Sequence, residues 1–177
     1  VLCLDADELL TSELKDEIYR ELSNPKFNAY YLIRCNKFLG RYLRYGAGYP
    51  DRIIRLFNRN YANWSDDLVH ERVIVSGKVG TLSGDVLHDS AESISKYLLK
   101  QNLYTDTQAK SMFDGRKKFK VSKLYISPLW HFIKYYFIRL GLLDGIPGLV
   151  HISIGSWNTF NKYAKLYELR RVFNETI

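Results

Sequence analysis

Asp5 and Asp7 stand one residue apart at the end of the apolar run Val1–Leu4, and Glu8 follows at once. Read as a buried strand, the run ends in two carboxylates where an open α/β sheet gathers its ligands, at the carboxyl ends of its strands. Two hard oxygen donors suit Mg²⁺ or Mn²⁺, an ion of the kind usually shared with phosphate oxygens, so the pattern points to a diphosphate-bearing substrate. The same residues also fit a plainer arrangement, a strand entering a helix whose acidic first turn complements the helix dipole, with Glu8 as a cap. Arg52, Arg55 and Lys100 are candidates for contacts to diphosphate, because guanidinium grips phosphate oxygens in pairs and lysine acts as a point charge. Trp64 and Tyr49 are candidates for stacking on a sugar ring.

These groups need a scaffold, and the 177 residues, 46% hydrophobic and 15% aromatic, suffice for one sizeable core with an appendage. Thr11 reads as the N-cap of a helix to about Ser23, with Leu14, Ile18 and Leu22 at helical spacing and Asn24–Pro25 as its stop. Residues 29–38 and 52–58 read as strands around the turn-rich 46–50. A further strand is expected at 69–75, and a turn with short strands from 77 to 88. From Ser90 the spacing predicts a helix to Met112. Pro128 is expected to open a second, amphipathic helix in which His131, Lys134 and Arg139 occupy an arc of about 140°. That helix is shorter than the ~20 apolar residues a bilayer span needs. The last segment, 151–173, reads as helical. Cys3 and Cys35 lack metal-ligand spacing and are expected in buried strands of a protein from a reducing compartment.

The net charge of +7 has one source. Between Lys110 and Arg139 there are eight basic residues against Asp114 alone, and the rest of the chain carries 18 of each sign. Such a block attracts polyanions. Lys117, Lys118, Lys120 and Lys134, with Trp130, make a candidate contact to an anionic membrane or an acceptor, cations meeting lipid phosphates and aromatics lying at head-group level. A helix packed on the core beside solvated lysines is the alternative. No helix-turn-helix, zinc or RNA-binding signature accompanies the block, so nucleic acid is not an expected partner.

In order along the chain, DADE at 5–8, PDRIIRLFNR at 50–59, VHE at 69–71, GKVGTL at 77–82, LHDS at 87–90, YLLKQNLYT at 97–105 and FIRLGLLDG at 137–145 resemble the family 2 glycosyltransferases, in the branch similar to lipopolysaccharide core β-glycosyltransferases. The resemblance implies an α/β GT-A fold with a mixed sheet, of which this chain is the carboxyl-terminal, acceptor-side part (1–113), followed by a basic loop and amphipathic helices (114–177). The nucleotide-binding first half is absent from the resemblance, so the fragment alone is expected to be inactive. It further implies a nucleotide-sugar donor such as UDP-glucose, a Mg²⁺ or Mn²⁺ cofactor, inversion at the anomeric carbon, and a glycan or glycolipid acceptor at the inner face of the cytoplasmic membrane. Asp7 becomes the direct metal ligand, with Asp5 near the ribose or a metal-bound water. His88 joins as a late ligand, since neutral imidazole suits Mn²⁺. Glu71 becomes the general base, helped by a raised pKa from partial burial. Its alternative is an ion pair with Arg72 or Arg52. The family's Q-x-x-R-W signature is absent, and Lys100 to Tyr104 occupy its place in the order of motifs.

Two other classes compete. Haloacid-dehalogenase-like phosphatases also carry D-x-D after a strand, but Leu9 stands where they have Thr or Val, and no later acidic pair follows a hydrophobic strand. A non-catalytic basic module binding membrane or nucleic acid through 110–139 is the third reading.

Overall fold

The computed structural model describes residues 1–65, 72–89 and 93–173. It divides the chain into two compact units. The first comprises Val1–Arg44 and Gly48–Ser90, the second Tyr45–Ala47 and Ala91–Ile177. The boundary expected after residue 113 therefore falls inside the second unit.

The first unit is α/β with a mixed sheet, as expected. Its elements are β1 (Glu8–Leu10), α1 (Ser12–Ser23), β2 (Ala29–Phe38), β3 (Arg41–Tyr42), β4 (Asp51–Phe57), β5 (Ala62–Trp64), β6 (Val73–Val75) and β7 (Val79–His88). In the main sheet β7 lies between β1 and β2, and the other edge of β2 carries β4 and then β3. Only β2 and β7 run parallel. Thr11 caps α1 through its hydroxyl, which accepts from the Leu14 N–H at 3.3 Å. α1 lies directly on β7, so closely that a Cβ on Gly84 would come within 2.6 Å of Leu14 backbone. The Glu17 carboxylate accepts the Ser83 and Gly84 N–H groups that an irregularity in the β2–β7 register leaves outside the ladder.

Two cores follow from strand alternation. Under α1, Leu14 and Ile18 pack on Tyr30, Leu32, Leu56, Leu82 and Val86. On the opposite face Ala29 and Phe57 meet Ala62, with Ile54, Trp64, Val73 and Val75 packed around them, so the β5–β6 hairpin covers that side.

Three expectations about this unit are corrected. Val1–Leu4 is no buried strand: Val1 is 56% and Leu4 40% exposed, and the segment runs antiparallel along the outer edge of β4 from Arg55 to Phe57. The paired strand begins at Glu8, the residue expected to cap a helix. Residues 77–88 form one long strand rather than a turn and short pieces. Of the strand expected over 69–75, only Val73–Val75 lies among the described residues, and it pairs with a strand at 62–64 that sequence periodicity did not show.

The second unit is helical: α2 (Ile94–Asp114), α3 (Ser122–Ile133), a π-helical stretch Lys134–Ile138, a 3-10 turn Gly141–Asp144 and α4 (Gly145–Val172). Pro128 lies inside α3 and does not open it. α2 is tied to α4 by Lys165, whose ammonium reaches Asp106 at 2.6 Å and Thr105 at 2.8 Å. α3 meets α4 where Gly155 leaves room for the His131 ring, whose Nδ1 lies 3.2 Å from Ser156 Oγ. The Tyr45 and Gly46 N–H groups donate to Asp144 Oδ2 and to the Arg139 carbonyl, both at 2.9 Å.

Candidate functional site

Each strand of the main sheet changes character along its core-facing column. In β2 the column reads Tyr30, Leu32, Arg34, Asn36; in β7 it ends Val86, His88; in β4 it runs Leu56, Ile53, Asp51; in β1, Leu10 then Glu8. All four turn polar at the same end, the carboxyl end of the parallel pair, which is where such sheets present chemistry.

The polar ends form one continuous network. Asp7 Oδ2 lies 3.2 Å from His88 Nε2. His88 Nδ1 lies 2.7 Å from Asn36 Oδ1, and Asn36 Nδ2 donates to Asp51 Oδ2 at 3.3 Å. Arg34 holds Asp51 at 2.8 Å and reaches Glu8 at 3.6 Å. Glu8, with no exposed side-chain surface, also meets Arg55 at 3.3 Å, and Arg55 in turn pairs with Asp5. The Asp5 N–H donates to Glu8 Oε2 at 3.1 Å, which closes the loop carrying the two aspartates. Arg55 is the extra residue of a bulge, because Tyr30 faces Leu56 while Tyr31 faces Ile54. A bulge of this kind re-aims a side chain, here toward the carboxylates.

The network settles the orientation of His88. Because the Asn36 amide gives its N–H to Asp51, its oxygen is the group facing Nδ1, so Nδ1 carries the hydrogen. The Nε2 lone pair then points at a carboxylate oxygen, and two acceptors at that distance repel unless a second ring proton or a cation stands between them. One carboxylate oxygen and one imidazole nitrogen form a donor pair suited to Mn²⁺. Asp5 is different, since the Arg55 guanidinium already satisfies its carboxylate. Among the described residues no three His, Cys, Asp or Glu side chains gather as a metal cage.

The remaining expected residues separate. Arg52 lines a cavity of about 470 Å³ with Arg34, Arg55, Arg72 and Trp64. Lys100 lies exposed on α2, in the second unit. Glu71 lies outside the described residues, as does His70. Lys117, Lys118 and Lys120 are exposed, Trp130 is 55% exposed, and Lys134 sits 5.2 Å from the Tyr135 ring centre. The loop bearing the lysines is anchored by buried Phe119 and by buried Arg170, which donates to the Lys117 carbonyl at 2.7 Å. Tyr49 is no stacking platform: its hydroxyl donates to buried Asp85 at 2.9 Å, and burial together with that carboxylate pushes its pKa up to about 12. Cys35 is buried and Cys3 half-buried, both as free thiols.

Sequence reasoning missed Glu8, Arg34, Asn36 and Asp51 as members of the site. Their signal is the change from apolar to polar within one strand column at Arg34 and Asn36. It missed Lys37 too, whose ammonium lies 2.6 Å from Asp89 and has its pKa raised by that hydrogen bond.

No family model and no solved structure matches the chain. Over 96% of its length it is 31% identical to an uncharacterized glycosyltransferase of Rickettsia typhi, and over the same share 29% and 30% identical to uncharacterized glycosyltransferases of Rickettsia prowazekii and Rickettsia bellii. The chain spans 62% of the length of each of these relatives. What surrounds the Asp7–His88 pair is thus a chain similar to proteins that carry the name glycosyltransferase.

Proposed function

We propose that the protein transfers a hexose from a nucleoside-diphosphate sugar to a hydroxyl of a glycan or glycolipid, by inversion, in the manner of the family 2 enzymes with a GT-A fold. The observation that carries this is the Asp7–His88 donor pair at the polar end of the sheet, held in place by Asn36, Glu8 and Arg55. The similarity to rickettsial proteins named glycosyltransferases supports the same reading.

Mg²⁺ or Mn²⁺ bound by Asp7 and His88 supplies charge neutralisation for the departing diphosphate. The chain's own residues do the rest. Asn36 fixes the imidazole so that Nε2 faces the carboxylate. Buried Glu8 holds the Asp5–Asp7 loop through the Asp5 N–H and, through Arg55, the Asp5 carboxylate. Arg55, beside Asp5, is the arginine assigned to the diphosphate. In the step itself the acceptor oxygen bonds to the anomeric carbon as the bond from that carbon to the diphosphate breaks, and the hydroxyl proton passes to Glu71.

The lipid-surface partner belongs to the same proposal. Tyr125, Ile126, Leu129 and Trp130 are between 55% and 69% exposed on α3, next in sequence to the basic loop. That arrangement suits shallow, peripheral docking on an anionic membrane, the inner face of the cytoplasmic membrane in this reading. No single helix is long and apolar enough to cross a membrane; Ser122–Ile138 and Gly141–Val172, bent by 74°, meet that test only as a pair.

In the complete protein, Asp7→Ala should abolish cation-dependent donor turnover and leave the circular dichroism spectrum unchanged. Glu71→Gln should keep donor affinity and stop transfer. Retained turnover in either variant removes the role assigned to that residue, and release of phosphate from simple phosphate esters would favour the phosphatase class instead.

A further inference from the structure

The outer edge of β4 is used only in part. Val1–Cys3 pairs with Arg55–Phe57, and among the described residues nothing pairs with the outer edge of Arg52–Ile54. Along this open stretch lies the cavity of about 470 Å³, between β4 and the β5–β6 side. Four arginines, Arg34, Arg52, Arg55 and Arg72, line it, and none of the residues lining it is Asp or Glu. Two of these charges are already spent: Arg34 on Asp51 and Glu8, Arg55 on Asp5 and Glu8. Arg52 is exposed and makes no ion pair or hydrogen bond among the described residues. Trp64 forms another part of the wall, its ring set edge-on to Phe57 at 6.4 Å and 84°. A guanidinium fork without a carboxylate partner, beside a fixed indole, is an arrangement that recognises an oxyanion attached to a ring.

We propose that this cavity is the seat of an acceptor sugar carrying a phosphate or carboxylate, with Arg52 meeting the anionic group and Trp64 the ring face. The inference rests on the glycosyl-transfer reading and names the acceptor class within it. It takes Arg52 away from the donor diphosphate for a reason of charge. The diphosphate is matched by the cation of the Asp7–His88 pair on the other side of Glu8. The positive charge left over at the cavity, after Asp5, Glu8 and Asp51 are counted, suits one further anionic group. Arg34 and Arg55 border both places, so an acceptor bound there lies next to the network that holds the aspartate loop.

The test is calorimetry on the complete protein with four probes: glucose 6-phosphate, glucose, inorganic phosphate, and UDP with Mn²⁺. Glucose 6-phosphate should bind at least about tenfold more tightly than either glucose or phosphate, one good charge-assisted pair being worth about that factor. Arg52→Gln should erase this advantage and leave UDP–Mn²⁺ affinity within about twofold. Trp64→Leu should weaken glucose and glucose 6-phosphate alike. Equal binding of glucose and glucose 6-phosphate would overturn the proposal. So would an Arg52→Gln variant that loses UDP–Mn²⁺ and keeps the sugar phosphate, since the cavity would then belong to the donor. Absence of UDP–Mn²⁺ binding in the unaltered protein, with sugar-phosphate binding intact, counts against the transfer reading alone.

Discussion

Glu8 is the residue on which the polar end of the sheet converges, and its removal can be predicted in energy. Its side chain is fully buried, with Arg55 at 3.3 Å and Arg34 at 3.6 Å. Removing one partner of a buried pair typically costs about 3–5 kcal/mol, because the other charge stays buried and uncompensated. Here both arginines keep a second carboxylate, Arg34 with Asp51 and Arg55 with Asp5, and Arg34 retains 25% of its side-chain exposure. The lower end applies, so Glu8→Gln, which keeps the shape and removes the charge, should cost the first unit about 3 kcal/mol. With an m-value of about 1.5–2 kcal/mol/M, its urea midpoint should fall by roughly 1.5–2 M. Because the chain has two units, the transition should be followed locally, by Trp64 fluorescence in a background with Trp130→Phe and Trp157→Phe. Arg55→Met combined with Glu8→Gln should cost less than the two single changes added together, since the partners are coupled. A midpoint unchanged within 0.5 kcal/mol (about 0.3 M), or strict additivity, would refute the view that this carboxylate is held by its arginines.

Two further outcomes concern the helical unit. Lys117→Glu with Lys118→Glu should abolish binding to phosphatidylglycerol vesicles and leave the helical content intact, each basic residue near an anionic surface contributing about 1 kcal/mol; binding indifferent to the charge reversal, or equal on neutral vesicles, removes the electrostatic contact. The second outcome is acid sensitivity. Burial first, then the charges of Lys162, His151 and Lys134, lower the His131 pKa from 6.5 to about 4, and burial lowers that of His151 as well. Between pH 6.5 and about 4 the unfolded chain takes up a proton that the folded His131 refuses, so stability is lost as pH falls through that window. The slope from this residue is at most ~1.4 kcal/mol per pH unit, and less to the extent that water screens the ring. Thermal melts at pH 7 and pH 5 should differ less in His131→Phe than in the unaltered chain; equal losses would exclude this histidine as a source.

Much of the scaffold was legible. Thr11, the helix behind it and the ten-residue strand Ala29–Phe38 announce themselves by a cap and by alternation, both local signals. The opening run was misread because apolar residues show that a segment can pair, not which edge it joins or whether anything covers it. Glu8 was misread for the opposite reason. A buried carboxylate is set by its partners, and Arg55 comes from 47 residues away, beyond the reach of hydropathy. Asp7 and His88 were singled out separately by residue type, but only the register that sets His88 opposite both Glu8 and Asn36 brings them together. α3 shows a related limit. Its polar arc predicted which residues share a face, yet His131 is the one turned to α4, while the aliphatic and aromatic positions 125, 126, 129 and 130 stay exposed.

Tyr45–Ala47 belong with the helices although Arg44 and Gly48, on either side, belong with the sheet. The polypeptide therefore changes allegiance three times, at 44, 47 and 90, and no single cut yields two self-sufficient halves. A chain shortened after residue 90 would leave the Tyr45 and Gly46 amides without the Asp144 carboxylate and the Arg139 carbonyl that they now engage. Melting of the helices should accordingly be felt in the loop that leads from β3 into β4, so the two halves share part of their fate through a tripeptide rather than through a broad seam.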